Sequence, residues 1–176
     1  MRLVHLPDAL TEDAVALWHA SGLTRPWNDP HADLRRAVTG PCSTVLAALD
    51  EQDLLLGTAM VGYDGHRGWV YYLAVRPESQ RSGLGRTLMQ ASEAWLRDRS
   101  VPKVNLMVRS PNSAAIAFYE ALGYEDGEVV VLGKFLEDSV GPSDHREVMF
   151  PCHPSCGYWH YRRRRGGRRA GITGSA

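Results

Sequence analysis

The chain has 176 residues, enough for one domain with a sizeable core and a short appendage. Its hydrophobic content of 44% and charged content of 23% are ordinary for a globular protein. No apolar run reaches the roughly 18 residues of a membrane helix, and the first residues lack the apolar core of a secretion signal. Three cysteines, an odd number, give no disulfide framework. We therefore expect a cytoplasmic protein with no membrane partner.

The formal net charge of zero conceals an asymmetry between the body and the C-terminal segment. From Pro151 onward there are six arginines and no acidic residue, so the preceding residues carry a net charge of about −6. An acidic body is thus followed by a basic tail.

In chain order, the hydrophobic pattern first predicts a weakly alternating strand at residues 2–6 and a helix at 11–21. Thr11 is the expected N-cap of that helix, because apolar residues follow it at helical spacing. Two prolines mark a loop at 26–30, and a short helix is predicted at 29–38.

The middle of the chain alternates between β-prone and helical patterns. The strands predicted at 43–49 and 54–63 form a hairpin, and a further strand at 69–75 follows a glycine-rich turn. The longest predicted helix, 83–99, carries an apolar stripe at helical spacing.

A strand at 103–108 and a helix at 112–122, ended by Gly123, complete the regular pattern before a last predicted strand at 129–136. Strands alternate with helices only in the middle of the chain. The pattern therefore predicts a mixed α/β (α+β) fold rather than a fully doubly wound sheet.

The most informative segment is Gln80-Arg81-Ser82-Gly83-Leu84-Gly85-Arg86, which lies between a predicted strand and the longest helix. Such a turn directs several backbone N–H groups and the positive end of a helix toward one place, which suits a phosphate or pyrophosphate. Gly83 and Gly85 let the backbone approach the anion, and Arg81 and Arg86 add positive charge. Two glycines by themselves are equally compatible with a simple β-to-α turn.

The surrounding motifs favour the anion site. Gln80-x-x-Gly83-x-Gly85 resembles the acetyl-coenzyme A signature Q/R-x-x-G-x-G/A of the GNAT superfamily of N-acetyltransferases. Leu73-Ala74-Val75-x-Pro77 and the segment 112–124, from Asn112 to Tyr124, also resemble that superfamily and occur in the same order. The resemblance covers residues 1–136, and the segments 25–30 and 62–68 are similar to the bacterial YpeA-like branch.

This resemblance implies a GNAT fold, in which a central, mostly antiparallel mixed sheet flanked by helices splays at the acetyl-CoA site. It also implies acetyl-CoA as co-substrate and a catalytic tyrosine, Tyr119, which protonates the departing thiolate. The implied cofactor-binding residues are Leu73, Ala74 and Val75 through their main chain, together with Arg81, Ser82, Gly83, Leu84, Gly85, Arg86 and Asn112. From the residues alone, Asn112 is at least as well explained as a helix N-cap and Tyr119 as a core aromatic.

The general base is not identified by the sequence. Many family members carry a glutamate in the strand before the glycine turn, but residues 69–75 contain no carboxylate. Asp64 and His66 in the neighbouring turn are the nearest candidates, acting through water and Tyr71 or Tyr72.

The loop between the first two helices borders the acceptor site in this superfamily. Trp27 is either a hydrophobic plug or a wall of the substrate site. Arg25 pairs either with a carboxylate of the acceptor or locally with Asp29. Together with Asn28, these side chains form a plausible recognition surface.

The C-terminal segment is predicted to lie outside the domain, with the GNAT domain at 1–136 and a linker and basic, disordered tail at 137–176. Cys152, His153, Cys156 and His160 suggest zinc, but their spacing misses the usual pattern, so no metal site is predicted. The arginines of the tail and their aromatic neighbours suit contacts with nucleic acid, so nucleic acid is predicted only as a partner of the tail.

The sequence therefore predicts an enzyme, an N-acetyltransferase that transfers the acetyl group of acetyl-CoA to a primary amine. The acceptor is a small molecule or a peptide or protein amine, and a homodimer is left open. The alternative is a non-catalytic acyl-CoA-binding sensor or regulatory module with a nucleic-acid-binding tail.

Overall fold

The structure is a computed structural model, and it describes residues 1–134. Its first compact unit spans Met1–Leu132. The regular elements comprise five strands and four helices within the described part of the chain. The strands are β1 (Arg2–His5), β2 (Ser43–Leu49), β3 (Leu55–Tyr63), β4 (Gly68–Val75) and β5 (Val104–Leu106), and the helices are α1 (Thr11–Ala20), α2 (Pro30–Thr39), α3 (Leu84–Arg97) and α4 (Ser113–Glu120).

The five strands form one sheet in the order β1-β2-β3-β4-β5. The first three pairings are antiparallel, and β5 adds in parallel to β4. The chain returns to the same end of the sheet through α3, as parallel strands require a crossover connection. The predicted mixed, mostly antiparallel sheet is confirmed.

Helices cover both faces of the sheet and divide the core into two clusters. On one face, α1 and α2 bury Trp18 and Leu34 against residues of β2 and β3. On the other, α3 buries Leu88 and Met89, and Phe118 of α4 packs against the same cluster. We call these the α1/α2 face and the α3/α4 face.

The helix starts depend on local hydrogen bonds that the sequence predicted only in part. Asp29 is the N-cap of α2, where its carboxylate accepts from His31 N and Ala32 N at 2.9 and 3.1 Å. The prediction that Thr11 caps α1 is wrong. A short 3-10 turn at Asp8–Leu10 leads directly into α1, so that Leu10 occupies the cap position and Thr11 is already helical.

The predicted strand at 129–136 is wrong for its described residues, 129–134, which form no strand. Val130 and Leu132 expose 85% and 90% of their surface. An apolar, β-branched run favours an extended chain. A strand also needs a neighbouring strand to pair with, and the β-propensity of a segment does not show whether such a neighbour exists. Residues 135 and 136, and with them the predicted domain boundary and the tail, lie outside the described residues.

None of the four helices within residues 1–134 combines the length and the apolar character that a membrane span requires.

Candidate functional site

Two residues of the glycine turn, Arg81 and Gly83, have left-handed backbone conformations. Gly83 is the N-cap of α3 with φ +88°, and a Cβ built on it would meet no atom within 4 Å. Glycine is therefore required here by backbone conformation and not by crowding. Arg81 also has a positive φ of 58°, and the hydroxyl of Ser82 donates to Ser79 O at 2.6 Å. The turn thus presents the open N-terminus of α3 to solvent.

Gly85 has a different role, which brings the fourth helix to the glycine turn. A Cβ on Gly85 would lie 3.3 Å from the ring of Phe118. Gly85 therefore lets α4 pack closely against the first turn of α3. Tyr119, the next residue of α4, packs against the core cluster of the same face.

Four further residues predicted for the cofactor belong to this turn or to the first turn of α3, and Asn112 lies at the N-terminus of α4. Arg81, Ser82 and Arg86 are exposed, and Arg86 donates to Ala121 O at 3.4 Å, while Leu84 is buried below them. Asn112 caps α4, since its side chain accepts from Ala115 N at 3.1 Å. The capping interpretation of Asn112 is therefore correct. The amide N–H groups of the Asn112 side chain have no hydrogen-bond partner among residues 1–134.

The second half of β4 has one open edge. Pairing with β5 involves only Gly68–Val70, so within the described residues the ladder stops before Leu73, Ala74 and Val75. An extended ligand arm can pair with such an edge as an added strand, because recognition by main-chain groups leaves the side chains in the core. Leu73 and Val75 pack into the α3/α4 face and Ala74 into the α1/α2 face.

A β-bulge lies at the point where the edge opens. The register between β3 and β4 shifts between Thr58 and Met60, and Tyr72 has a left-handed φ of 48°. A non-glycine residue in this region is strained, by about 1–3 kcal/mol, and persists only where its surroundings enforce it. Bulges of this kind turn backbone groups out of the ladder.

Two buried side chains hold the bulge from the α1/α2 face. The Trp18 ring stacks on the Tyr72 ring with centroids 4.1 Å apart, and Trp18 Nε1 donates to Thr58 Oγ1 at 2.8 Å. The Thr58 hydroxyl in turn donates to Tyr72 O at 3.2 Å. Because Trp18 and Thr58 are fully buried, these bonds fix the strained residue without competition from water.

The hydroxyl of Tyr72 connects the bulge to α2. It donates to Asp33 Oδ2 at 2.8 Å, and Asp33 is also paired with Arg36. Burial and the bond to Asp33 raise the pKa of Tyr72 to about 12, although a hydrogen bond from Asn28 opposes the rise. Tyr72 is therefore a neutral phenol at physiological pH, with its proton directed at a carboxylate.

Tyr119 is suited to donate a proton. Burial raises the pKa of its phenol, so that the hydroxyl is protonated well above neutral pH. Its ring contacts Phe118 and Tyr124 edge-to-face, at 5.1 and 5.7 Å between centroids. Among residues 1–134 its hydroxyl has no hydrogen-bond partner, which leaves the proton available to a ligand atom.

Asp64 is not suited to accept a proton. Its carboxylate accepts from the backbone of Arg67 at 2.7 Å and His66 at 2.8 Å and from Trp69 Nε1 at 3.0 Å. These bonds, with that from Arg67 the strongest, lower the pKa of Asp64 to about 2 although partial burial opposes them. Asp64 therefore shapes its turn as an anion, and His66 is exposed.

In the loop between α1 and α2, Arg25 and Asp29 make hydrogen bonds with different partners. Arg25 donates to the carbonyls of Gly22 and Thr24 at 2.8 and 2.6 Å, while Asp29 caps α2. The side chain of Trp27 is 60% exposed. Arg25 and Asp29 therefore bond to other partners and not to each other, and Asn28 is the residue of this loop that lies beside the Tyr72 hydroxyl.

Sequence patterns did not suggest Trp18, Thr58 or Asp33 as site residues. Trp18 and Asp33 looked like ordinary members of amphipathic helices, and Thr58 like a strand residue. The one available signal was a buried threonine within an apolar strand, since a buried hydroxyl requires partners.

Among residues 1–134, no group of His, Cys, Asp and Glu side chains has an arrangement that would hold a metal ion. The segment considered for zinc, 152–160, lies outside the described residues.

Comparison with known proteins identifies the family. The model of the acetyltransferase (GNAT) family matches residues 10–124. An acetyltransferase of Yersinia enterocolitica is 41% identical over 125 residues, which cover 71% of this chain and 88% of that protein.

Solved structures share the fold. An aminoglycoside acetyltransferase from a soil metagenomic sample, solved with sisomicin, is 18% identical with a TM-score of 0.65, covering 77% of this chain and 96% of that one. An aminoglycoside acetyltransferase, AAC(6')-Iy, solved with a bisubstrate analogue of coenzyme A, is 16% identical with a TM-score of 0.64, covering 76% and 97%. The glycine turn, the open edge of β4 and the matches in sequence agree, and the chain belongs to the GNAT family of acetyltransferases.

Proposed function

We propose that this acetyltransferase transfers the acetyl group of acetyl-CoA to a primary amine by direct attack. The observation that carries the proposal is the position of the β4 edge, which opens at Leu73–Val75 immediately before the glycine turn at Gly83. A pyrophosphate at the turn and a pantetheine arm along the edge would place the thioester beside the bulge at Tyr72. GNAT acetyltransferases as a family use acetyl-CoA.

The residues proposed to hold the cofactor supply main-chain groups and positive charge. The backbone of Leu73, Ala74 and Val75 pairs with the pantetheine arm. The N-terminus of α3, with Gly83 and Gly85, takes the pyrophosphate. Arg81 and Arg86 balance its charge from the two ends of the turn.

In the reaction, the lone pair of a neutral amine nitrogen attacks the thioester carbonyl carbon. The C–N bond forms, the C–S bond breaks, and the carbonyl oxygen is stabilised by backbone N–H groups at the bulge. Tyr119 gives its proton to the leaving sulfur. Burial raises the pKa of the Tyr119 phenol, so the phenol carries its proton at neutral pH, and it regains a proton from solvent after the thiol is released.

The proton lost by the amine leaves along Tyr72 and Asp33 in this proposal. The Tyr72 oxygen accepts the proton from nitrogen while its own proton passes to Asp33 Oδ2, 2.8 Å away. A phenol oxygen has two lone pairs, so one is free for the amine when Asn28 occupies the other. The relay explains why β4 needs no carboxylate of its own.

The direct test is a panel of acceptors with acetyl-CoA as donor, in which free thiol release is followed with the full chain. We expect thiol release that depends on a primary amine, with an N-acetylated product of matching amount. Binding of acetyl-CoA with no amine-dependent thiol release in any sample would instead support the non-catalytic acyl-CoA sensor, which the lack of a carboxylate in Gly68–Val75 favours.

A further inference from the structure

One part of the sheet presents aromatic side chains to solvent beside the proposed reaction centre. Val70 is 4% exposed in the α3/α4 face, so its neighbours Trp69 and Tyr71 point to the α1/α2 face. Their rings are nearly parallel, at 15°, with centroids 6.4 Å apart, and Tyr71 is 41% exposed. The two rings form an aromatic surface that ends at the bulge.

This aromatic surface has a fixed negative charge at its far end. The Trp69 indole donates to Asp64 Oδ2 at 3.0 Å, while Oδ1 is occupied by the backbone bonds of the turn. Asp64 is exposed, and Oδ2 has a further lone pair directed to solvent. The pKa of Tyr71 is raised by burial and by the charge of Asp64, so this phenol is neutral and keeps its aromatic face.

The part of the chain that precedes and includes this turn has the same sign of charge as Asp64. Residues 1–66, which form β1 to β3, α1, α2 and the turn at Asp64, hold nine acidic and four basic residues. Residues 67–134, which include the glycine turn, hold seven acidic and nine basic residues. The chain up to the turn at Asp64 thus carries a net negative charge, which favours the approach of a cationic acceptor.

We propose that the acceptor is a small molecule with a second positive charge, which binds over the rings of Trp69 and Tyr71 beside Asp64 while its reacting amine reaches Tyr72. A cation over an aromatic face is attracted by the ring quadrupole, most strongly by tryptophan. At about 3.3 Å per strand residue, the two nitrogen atoms would lie about 7 to 10 Å apart. This inference rests on the proposed function and specifies its substrate class.

The test compares two acceptors of equal length, a linear alkyl monoamine and the corresponding terminal diamine, at saturating acetyl-CoA. Because the diamine has two amines that can react, its kcat/KM exceeds that of the monoamine by about twofold on statistical grounds alone. We expect the cation site to add a further preference of about 5- to 30-fold in kcat/KM. Asp64→Asn should lower this preference by reducing kcat/KM for the diamine, while the KM of acetyl-CoA stays unchanged. The asparagine oxygen still accepts the backbone bonds of the turn, whereas the amide nitrogen that replaces Oδ2 cannot accept from the Trp69 indole. Trp69→Leu should also lose the preference.

Asp50→Asn is the matched control. Asp50 also holds a turn through its carboxylate, since its Oδ1 accepts from Gln52 N and Leu54 N at 2.8 Å, but this turn lies between β2 and β3. Its variant should keep the full preference for the diamine.

The outcomes separate this inference from the proposed function. Acetylation of both amines at a ratio of about two, or an unchanged ratio in Asp64→Asn, would overturn the cation site and leave the N-acetyltransferase intact. If no amine released thiol, the proposed function would fail and this inference with it.

Discussion

Removal of the Tyr72 hydroxyl separates its chemical role from its structural one. In Tyr72→Phe the ring and its stacking on Trp18 at 4.1 Å are retained, so the bulge should persist. What is lost is the bond to Asp33 at 2.8 Å. We expect the acetyl-transfer rate to fall by about 10- to 1000-fold, the range of single proton-transfer groups, with little change in coenzyme A affinity.

The cost in stability follows from the same contact. A hydrogen bond to a charged partner contributes about 1.5–3 kcal/mol. The Asp33 side chain is 23% exposed, so water replaces part of the bond. We therefore expect a loss of about 1–2 kcal/mol in the free energy of unfolding, or about 3 to 8 °C in Tm.

The chain supplies a matched control in Tyr124→Phe. The Tyr124 hydroxyl donates to Glu93 Oε1 at 3.0 Å, and burial and this carboxylate likewise raise its pKa. Denaturant unfolding should show similar losses for both variants, while thiol release at saturating substrates should fall only for Tyr72→Phe. Equal rates in the two variants would refute the relay and leave Tyr72 as a structural residue.

Three further predictions concern the cofactor, the acid and the turn. Gly83→Ala and Gly123→Ala impose the same backbone strain, because both glycines have φ +88° with open space around them. Only Gly83→Ala should weaken coenzyme A binding in calorimetry. Equal affinities would show that the Gly83 turn binds no pyrophosphate. Tyr119→Phe should lower turnover about 10- to 1000-fold and leave coenzyme A affinity nearly unchanged, and a wild-type rate would remove Tyr119 from the mechanism. Because the pKa of Asp64 is lowered from 3.8 to about 2, its contribution to stability is complete above pH 3.8 and is lost as the pH falls through about 2. The indole N–H resonance of Trp69 should follow this titration, and a midpoint near 3.8 would contradict the hydrogen bonds assigned to the turn.

Much of the fold is specified by local sequence. The hairpin strands Ser43–Leu49 and Leu55–Tyr63 and the start of α3 at Gly83 follow from alternation, helical spacing and glycine, all of which act within a few residues. The motif around Gly83 and Gly85 likewise indicates the family from a few neighbouring residues. Local signals failed where the outcome depended on a partner, as at 129–134, where β-prone residues have no strand to join within the described chain.

Only the tertiary structure brought together the bulge and its supports. Trp18, Asp33, Thr58 and Tyr72 come from two helices and two strands, and no spacing in the sequence relates them. The left-handed conformation of Tyr72 is strained for an isolated residue, so it arises from packing and hydrogen bonds that exist only once α1 and α2 cover the sheet. The sequence by itself therefore determined the family and the glycine turn at the start of α3, through short-range chemistry. The bulge at Tyr72 was decided by contacts between residues far apart in the chain.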